Sequence, residues 1–168
     1  PRDAKKYHMA LLTEERRTTG IFPMLNIVDN NTMASMMKYK NRVGLLNDLL
    51  RETDTKQGIT SLRIKTPGTD TRIQSLSGGN QQKVLISRWL NTAPDILLLD
   101  EPTRGIDVGA KYEIYTIINR LASEGKSVIM ISSEMSELLG MSDRIMVMSN
   151  GIMEGIIDAK EATEEKIM

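Results

Sequence analysis

The chain has 168 residues, which is enough for one folded domain with a small additional lobe. Its 22 basic and 22 acidic residues give zero net charge, which argues against a nucleic-acid partner held through bulk positive charge. It contains no cysteine, which excludes a disulfide scaffold and thiolate metal sites, and no apolar run approaches the roughly 20 residues that span a bilayer.

The first half of the sequence predicts short helices that are separated by polar stretches. Residues 8–12 favour a strand that includes the single histidine, His8, for which we expect a structural role. Residues 29–39 and 45–63 predict two helices, and residues 80–90 predict a third helix with one broad apolar face. This half is therefore expected to be mainly helical.

From residue 95 onward, strand and helix patterns alternate. The apolar run at residues 96–99 is typical of a strand that is buried on both faces. Isoleucines and a leucine at helical spacing over residues 114–121 predict an amphipathic helix, with Gly125 as its C-terminal cap. Residues 128–131 predict a second buried strand. The alternation predicts an α/β fold with a three-layer core and right-handed crossovers.

The C-terminal part continues the same alternation. Residues 134–139 predict a short helix that Gly140 ends. Residues 144–148 and 152–157 predict two strands joined by the Asn150–Gly151 turn, which is a strong hairpin signal.

The segment LSGGNQQK at residues 76–83 is a candidate site for a phosphate group. Ser77 is expected to be the N-cap of a helix that Gly78 and Gly79 open. A helix N-terminus has unpaired N–H groups and about half a positive charge, and glycine leaves room for a phosphate to approach the backbone. The alternative is a capped helix after a glycine turn, because Ser-Gly-Gly alone is common.

Two adjacent acidic residues follow the strand at residues 96–99. Ligands of open α/β sheets bind beyond the carboxyl ends of the strands, which is where these carboxylates would lie. Asp100 would bind Mg²⁺ and Glu101 would act as general base for an attacking water. The alternative is a strand that ends in a polar turn, with Pro102 as the breaker.

Together, LSGGNQQK at residues 76–83 and LLLDEPTRGIDVGAK at residues 97–111 resemble the nucleotide-binding domain of ABC transporters. The first segment is similar to the family's signature motif, and the second to its Walker B strand, catalytic glutamate and D-loop. The asparagine of the signature, the D-loop variant TRGID and the segment TEERR at residues 13–17 resemble the second ATP-binding half of bacterial monosaccharide importers of the galactose and methylgalactoside class.

The resemblance covers about residues 8–158 and implies a division of the chain. Residues 1–15 would form a core strand and the Q-loop region. Residues 16–90 would form the helical lobe that carries the signature and receives the membrane partner. Residues 91–168 would form the RecA-like part of a P-loop NTPase core, with Walker B, the D-loop and the switch region.

The resemblance also implies roles for single residues, with ATP and Mg²⁺ as cofactors. In this family two halves dimerise head to tail, and each ATP lies between the Walker motifs of one half and the signature of the other. Asp100 and Glu101 would therefore serve the ATP of this half, and Asp107 would cross the dimer interface. Glu14 stands where the Q-loop glutamine usually lies. The signature residues would bind the ATP of the partner half: Ser77, Gly78, Gly79, Asn80 and Gln81.

Two departures from the family pattern limit what this chain would do alone. The sequence contains no Walker A loop, because the Gly-Lys-Ser at residues 125–127 has Arg120 where the motif needs glycine, and a helix precedes it. We therefore expect a truncation that begins after Walker A and that does not hydrolyse ATP by itself. Ser133 stands where the switch histidine usually lies, and we interpret it as the N-cap of the helix at residues 134–139.

The missing Walker A strand would lie between the strands near residues 127–132 and 144–149. We therefore expect two unpaired strand edges, exposed apolar surface and self-association of this chain. The resemblance further implies work with the other ATP-binding half, with transmembrane permease subunits and, indirectly, with a periplasmic sugar-binding protein. It places the protein at the cytoplasmic face of the bacterial inner membrane.

Two other functions remain open at this stage. One is an ABC-fold ATPase without a membrane partner, which would be expected to carry coiled-coil insertions and a more basic surface than this sequence has. The other is a catalytically silent interaction half in which the motifs survive only as structure. The presence of both Asp100 and Glu101 argues mildly against the silent half.

Overall fold

A computed structural model describes residues 2–167 and has a mixed α/β fold. Its strands are β1 Met9–Leu12, β2 Ile96–Asp100, β3 Ser127–Ile131, β4 Arg144–Ser149 and β5 Ile152–Asp158. Its α-helices are α1 Arg2–Lys6, α2 Ile27–Thr32, α3 Asp48–Ser61, α4 Gly78–Leu90, α5 Val108–Ser123, α6 Met135–Met141 and α7 Glu164–Ile167. A π-helical turn at Arg16–Gly20 and 3₁₀ helices at Met33–Tyr39 and Ile73–Ser75 connect them.

Strands β1, β2 and β3 form a parallel sheet in that order, as the alternation of strands and helices predicts. Leu12 pairs with Leu99, and Leu97 pairs with Val128. The side chains of Leu12, Leu97 and Leu99 are almost fully buried on one face of the sheet. Parallel strands need crossover connections, which here contain α4 and α5.

Helices α4 and α5 supply the apolar side chains that pack on this sheet face. Val84 and Leu85 of α4 have at most 1% of their surface exposed. The predicted stripe of α5 is confirmed, because all of its members belong to the buried core: Ile114, Ile117, Ile118 and Leu121. Gly125 has a φ of +88°, and its N–H donates to the carbonyl of Ala122, so the predicted glycine at the end of this helix is also confirmed.

The opposite face of the sheet is open. Leu11, Ile129 and Ile131 on this face have 46%, 53% and 54% of their surface exposed. The prediction that β3 is a buried strand is therefore wrong, and β2 is fully buried on only one of its faces. A run of apolar residues indicates that both faces of a strand can be buried. Burial of both faces also requires that other elements of the chain pack on each side of the sheet. Among the described residues, helices α4 and α5 cover one side.

The outer edge of β3 has no strand partner among residues 2–167, and β4 pairs only with β5. The two unpaired edges and the exposed apolar surface that the sequence predicts are therefore confirmed. The hairpin of β4 and β5 turns at Asn150 and Gly151, whose φ angles are +49° and +80°, as the predicted Asn-Gly turn requires. Its side chains include exposed Met146, Met148 and Ile156.

The region between β1 and α4 is helical, but less regular than predicted. The helix expected at residues 29–39 breaks at Thr32, where α2 ends and a 3₁₀ helix begins. Thr32 Oγ1 donates to the carbonyl of Val28, and such back-bonding weakens regular helix continuation. The helix expected at residues 45–63 is confirmed with shorter bounds as α3, whose N-cap Asn47 accepts the N–H of Leu50.

Arg88 joins the end of α4 to this helical region. Its Nε and Nη2 donate to the carbonyl and the side-chain oxygen of Asn30 at 2.5 and 2.9 Å. Its Nη1 donates to the carbonyl of Gly20 at 2.6 Å, and its guanidinium lies 5.6 Å from the Phe22 ring. Burial lowers the pKa of Arg88 to about 10. The side chain therefore fixes three segments around one buried cation.

Candidate functional site

Helix α4 begins at the glycine pair of the predicted phosphate site. Ser77 is the N-cap residue with an extended backbone, and its side chain is exposed. Its hydroxyl does not cap the helix; instead it accepts a hydrogen bond from Nδ2 of Asn80 at 2.9 Å. The first amide groups of α4 have no partner within the helix itself. The start of this 13-residue helix therefore offers a hydroxyl and backbone donors to an anion.

The side chain of Asn80 links the start of α4 to the segment at Lys65. Its side-chain oxygen accepts the N–H of Lys65 at 2.9 Å, while its amide nitrogen donates to Ser77 Oγ. Gln81 is buried with 4% of its surface exposed, and its amide donates to the carbonyls of Ile73 and Leu76. The structure therefore does not place the Gln81 side chain where a ligand of α4 would bind; it supports the loop in front of Ser77.

Gly79 lies against helix α5. A Cβ atom at Gly79 would be 2.5 Å from Cβ of Ala110, so only glycine fits there without displacing α5. The two helix starts border a cleft of about 280 Å³. Its lining residues are Lys65, Ser77, Gly79, Asn80, Asp107, Gly109, Ala110 and Glu113.

This cleft brings the predicted D-loop residue Asp107 to the predicted signature residues. Asp107 is the exposed N-cap of α5, and its Oδ1 accepts the N–H of Ala110 at 3.0 Å. Lys83 joins the two helices further along, because its Nζ donates to Glu113 Oε2 at 2.6 Å. The hydrogen bond from Lys83 lowers the pKa of Glu113. Lys83 is 1% exposed, and no sequence pattern indicates its role beyond its place in the motif.

The two predicted acidic residues lie at the carboxyl end of β2, as expected. Asp100 is the last residue of the strand and is half-buried. Glu101 has a φ of +47°, a left-handed backbone that costs roughly 1 kcal/mol or more in a residue other than glycine. Its N–H donates to the carbonyl of Ile131, which ties the residue to β3. Strained backbone of this kind clusters at functional sites.

Ser133 is brought to Glu101, but through its backbone. The N–H of Ser133 donates to Glu101 Oε1 at 2.6 Å. The interpretation of Ser133 as a helix N-cap is wrong, because α6 begins at Met135 after Glu134, and Ser132 Oγ accepts the N–H of Glu134. Gly140 lies inside α6 and does not end it. No sequence pattern shows which of Ser132 and Ser133 bonds the start of α6, or whether Gly140 lies inside that helix or ends it.

Glu14 follows β1 and forms an ion pair with Arg104, which follows β2. The two side chains are 38% and 60% exposed, so solvent screens much of their attraction. The pair brings the predicted Q-loop residue to the segment between Glu101 and Asp107. His8 lies in the turn before β1 with a φ of +52°, and its carbonyl accepts the N–H groups of Asp95 and Ile96.

The residues present suit a magnesium nucleotide. Within residues 2–167, no group of three or more His, Asp or Glu side chains lies close enough to hold a metal ion alone. Mg²⁺ usually takes only one or two carboxylates and fills its remaining positions with water and substrate phosphates. Asp100 offers one such carboxylate, and the start of α4 offers donors to a phosphate. In the same part of the chain, every helix is too short or too polar to cross a membrane.

Comparisons with known proteins agree on one family. A family model described as ABC transporter matches residues 2–104. The galactose/methyl galactoside import ATP-binding protein of Clostridium tetani is 59% identical over 168 residues, which are 100% of this chain and 33% of that protein. The protein of the same name from Escherichia coli strain K12 is 57% identical over 166 residues, 99% of this chain and 33% of its own length. The chain thus spans about one third of these curated relatives.

Two solved structures share the fold. The ATP-binding cassette MJ0796, in a dimeric post-hydrolysis state bound to ADP and Pi, has a TM-score of 0.74 at 21% identity, over 93% of this chain and 66% of that one. The ADP conformation of MJ1267, an ATP-binding cassette of an ABC transporter, has a TM-score of 0.75 at 20% identity, over 99% and 65%. The predicted fold class, an incomplete α/β ATPase core with a parallel sheet, is confirmed.

Proposed function

This chain belongs to the ABC transporter family, and we propose that it forms part of the second ATP-binding half of a bacterial importer of galactose or methylgalactoside. The observation that carries the proposal is the separation of two sets of site residues within one chain. Ser77, Gly79 and Asn80 border one cleft with Asp107. Glu101 does not line this cleft, and its carboxylate accepts the N–H of Ser133. The relatives at 57–59% identity are galactose/methyl galactoside import ATP-binding proteins, which supports the choice of substrate.

We assign the two sets to two different nucleotides. The start of α4, with Ser77 and Gly78, binds the terminal phosphate of the ATP held by the other half. Asp100 binds Mg²⁺ of this half's own ATP, and Glu101 accepts a proton from the attacking water. Magnesium, when bound, neutralises charge that develops on the phosphate oxygens. ATP would thus join the two halves, and its hydrolysis would release them.

The remaining predicted residues connect this site with its partners. Asp107 reaches the other half across the interface, and Glu14 carries the state of the nucleotide toward the helical region at residues 16–90. Permease subunits contact that region, and a periplasmic binding protein delivers the sugar to them. The protein is peripheral and lies at the cytoplasmic face of the inner membrane. The residues outside this region form the nucleotide-binding core of this half.

Uptake of labelled galactose tests this proposal in cells that depend on the complete transporter. Ser77→Arg places a long side chain at the start of α4, where the phosphate must approach, and we expect uptake to fall at least tenfold. The matched control is Gln74→Arg, which adds the same charge at an exposed position three residues earlier. Wild-type uptake with Ser77→Arg contradicts the proposal. Intact ATP hydrolysis without any sugar uptake in the wild type would favour an ATPase that does not transport.

The open sheet face and the unpaired edge of β3 support the proposed self-association of the 168-residue chain. We expect two copies to pair through β3 and to cover Ile129 and Ile131, because exposed apolar edge strands pair readily. Light scattering at micromolar concentration should give a mass of at least two chains. Ile129→Lys should shift that mass toward one chain, while Ile152→Lys on the hairpin should have a smaller effect. A wild-type mass of one chain contradicts the expectation.

A further inference from the structure

Glu137 in helix α6 has a carboxylate that is surrounded by hydroxyl groups. Only 4% of the residue surface is exposed. Its Oε1 accepts hydrogen bonds from Thr103 Oγ1 and from the Tyr115 hydroxyl, the latter at 2.5 Å, and its Oε2 accepts one from Ser132 Oγ at 2.7 Å. Lys111 Nζ lies 3.4 Å from Oε1. A buried carboxylate is costly unless it is satisfied in this way, so its partners are held at defined positions.

Two of these donors, Thr103 and Ser132, come from the two segments next to Glu101, whereas Tyr115 and Lys111 belong to α5. Thr103 is two residues after Glu101, at the start of the D-loop. Ser132 directly precedes Ser133, whose N–H donates to Glu101 Oε1 at 2.6 Å. Glu137 therefore holds the backbone on both sides of the hydrogen bond that orients the Glu101 carboxylate.

The charge state of Glu137 fits this arrangement. Burial alone would raise its pKa, but the hydrogen bonds from Thr103, Tyr115 and Ser132 outweigh burial and lower the pKa below its usual value. Burial and the hydrogen bond to Glu137 raise the pKa of Tyr115 to about 12, so the phenol stays a donor. At neutral pH the Glu137 carboxylate therefore stays ionised and the Tyr115 hydroxyl stays protonated.

We propose, on the basis of the function proposed above, that Glu137 is a positioning residue for ATP hydrolysis, which holds Thr103 and Ser132 so that the Ser133 N–H fixes the Glu101 carboxylate. Glu137 touches neither nucleotide nor water in this role and acts through Glu101. A general base must lie within hydrogen-bond reach of the water, and small displacements of such a group cost large factors in rate. Loss of Glu137 should therefore lower kcat and leave nucleotide binding intact.

Steady-state ATP hydrolysis by the complete transporter ATPase provides the first test. Glu137→Gln keeps the size of the side chain but replaces one acceptor oxygen with an amide donor, which faces hydroxyls that themselves donate. We expect kcat to fall about tenfold or more, with KM for ATP within twofold of wild type. The matched control is Glu134→Gln at the residue that precedes the same helix, which removes the other acidic partner of Lys111 and should keep kcat within twofold. An unchanged kcat for Glu137→Gln overturns the proposal.

A double-mutant comparison separates positioning from a general loss of folding. In a Glu101→Gln background, single-turnover rates should show no further loss on adding Glu137→Gln, because the residue it positions is already absent. Equal fractional losses in both backgrounds overturn the proposal. If Glu137→Gln does not fold, Glu137→Asp takes its place under the same criteria. Wild-type turnover in Glu101→Gln would instead contradict the proposed function itself.

Discussion

Glu101→Gln in the complete transporter ATPase is expected to reduce ATP turnover at this site by about 100-fold or more, the size of effect that general-base catalysis contributes. The amide keeps the shape of the side chain and can still accept the N–H of Ser133, but it cannot take a proton from water. ATP binding should persist, because the substitution removes no phosphate contact. Single-turnover hydrolysis with both halves loaded measures the loss directly.

Asp95→Asn is the matched control for this experiment. Asp95 is exposed and directly precedes β2, at the end of the strand opposite Glu101, so the same chemical change there should leave turnover within twofold. Ser77 supplies the second comparison, because its substitution should affect hydrolysis of the other half's ATP. Loss of all turnover in Glu101→Gln, together with no effect of Ser77→Arg, would contradict the assignment of the two sets to two nucleotides.

Arg88→Met is expected to lower the free energy of unfolding of the chain by about 3 kcal/mol or more. The substitution keeps apolar volume but leaves the buried carbonyls of Gly20 and Asn30 without the donor that Arg88 supplies, and each such group costs roughly 1–3 kcal/mol. The side-chain oxygen of Asn30 loses one of its two donors and keeps the N–H of Phe22. Urea unfolding followed by circular dichroism gives the change in midpoint.

Arg72→Met is the control for stability, because Arg72 is exposed at the start of a 3₁₀ turn. Its substitution should change stability by about 0.5 kcal/mol or less. Equal losses for the two arginines would mean that the contacts of Arg88 do not hold the helical region together.

Local periodicity was sufficient to predict α4, α5 and the hairpin. In each of these elements the apolar spacing or the turn residues involve only neighbours within a few positions along the chain. The structure contains all three elements. The burial of β3 could not be predicted in this way, because exposure of Ile129 and Ile131 depends on which other elements cover the sheet. The break after Thr32 depends on a side-chain bond to Val28, which competes with an otherwise acceptable helical pattern.

The site shows the same division. The signature and the acidic pair could be placed from sequence because their residue types follow a glycine turn and a strand end. Glu137 and Lys83 could not, because each is one charged residue in a helix and most of its partners lie 20 to 34 positions away. An N-cap role predicts that Ser133 acts through its hydroxyl, whereas its contact with Glu101 uses the backbone N–H, which every residue except proline has.

Helices α4 and α5 contact each other at two positions along their length. Gly79 meets Ala110 with no space for a methyl group, and Lys83 reaches Glu113 one turn further along. The first contact sets the distance between the two helices, and the second opposes rotation of one helix against the other. We therefore expect α4 and α5 to move as one rigid unit. If a nucleotide binds at the start of α4 as proposed, we expect a displacement of α4 to move Asp107 at the start of α5 with it.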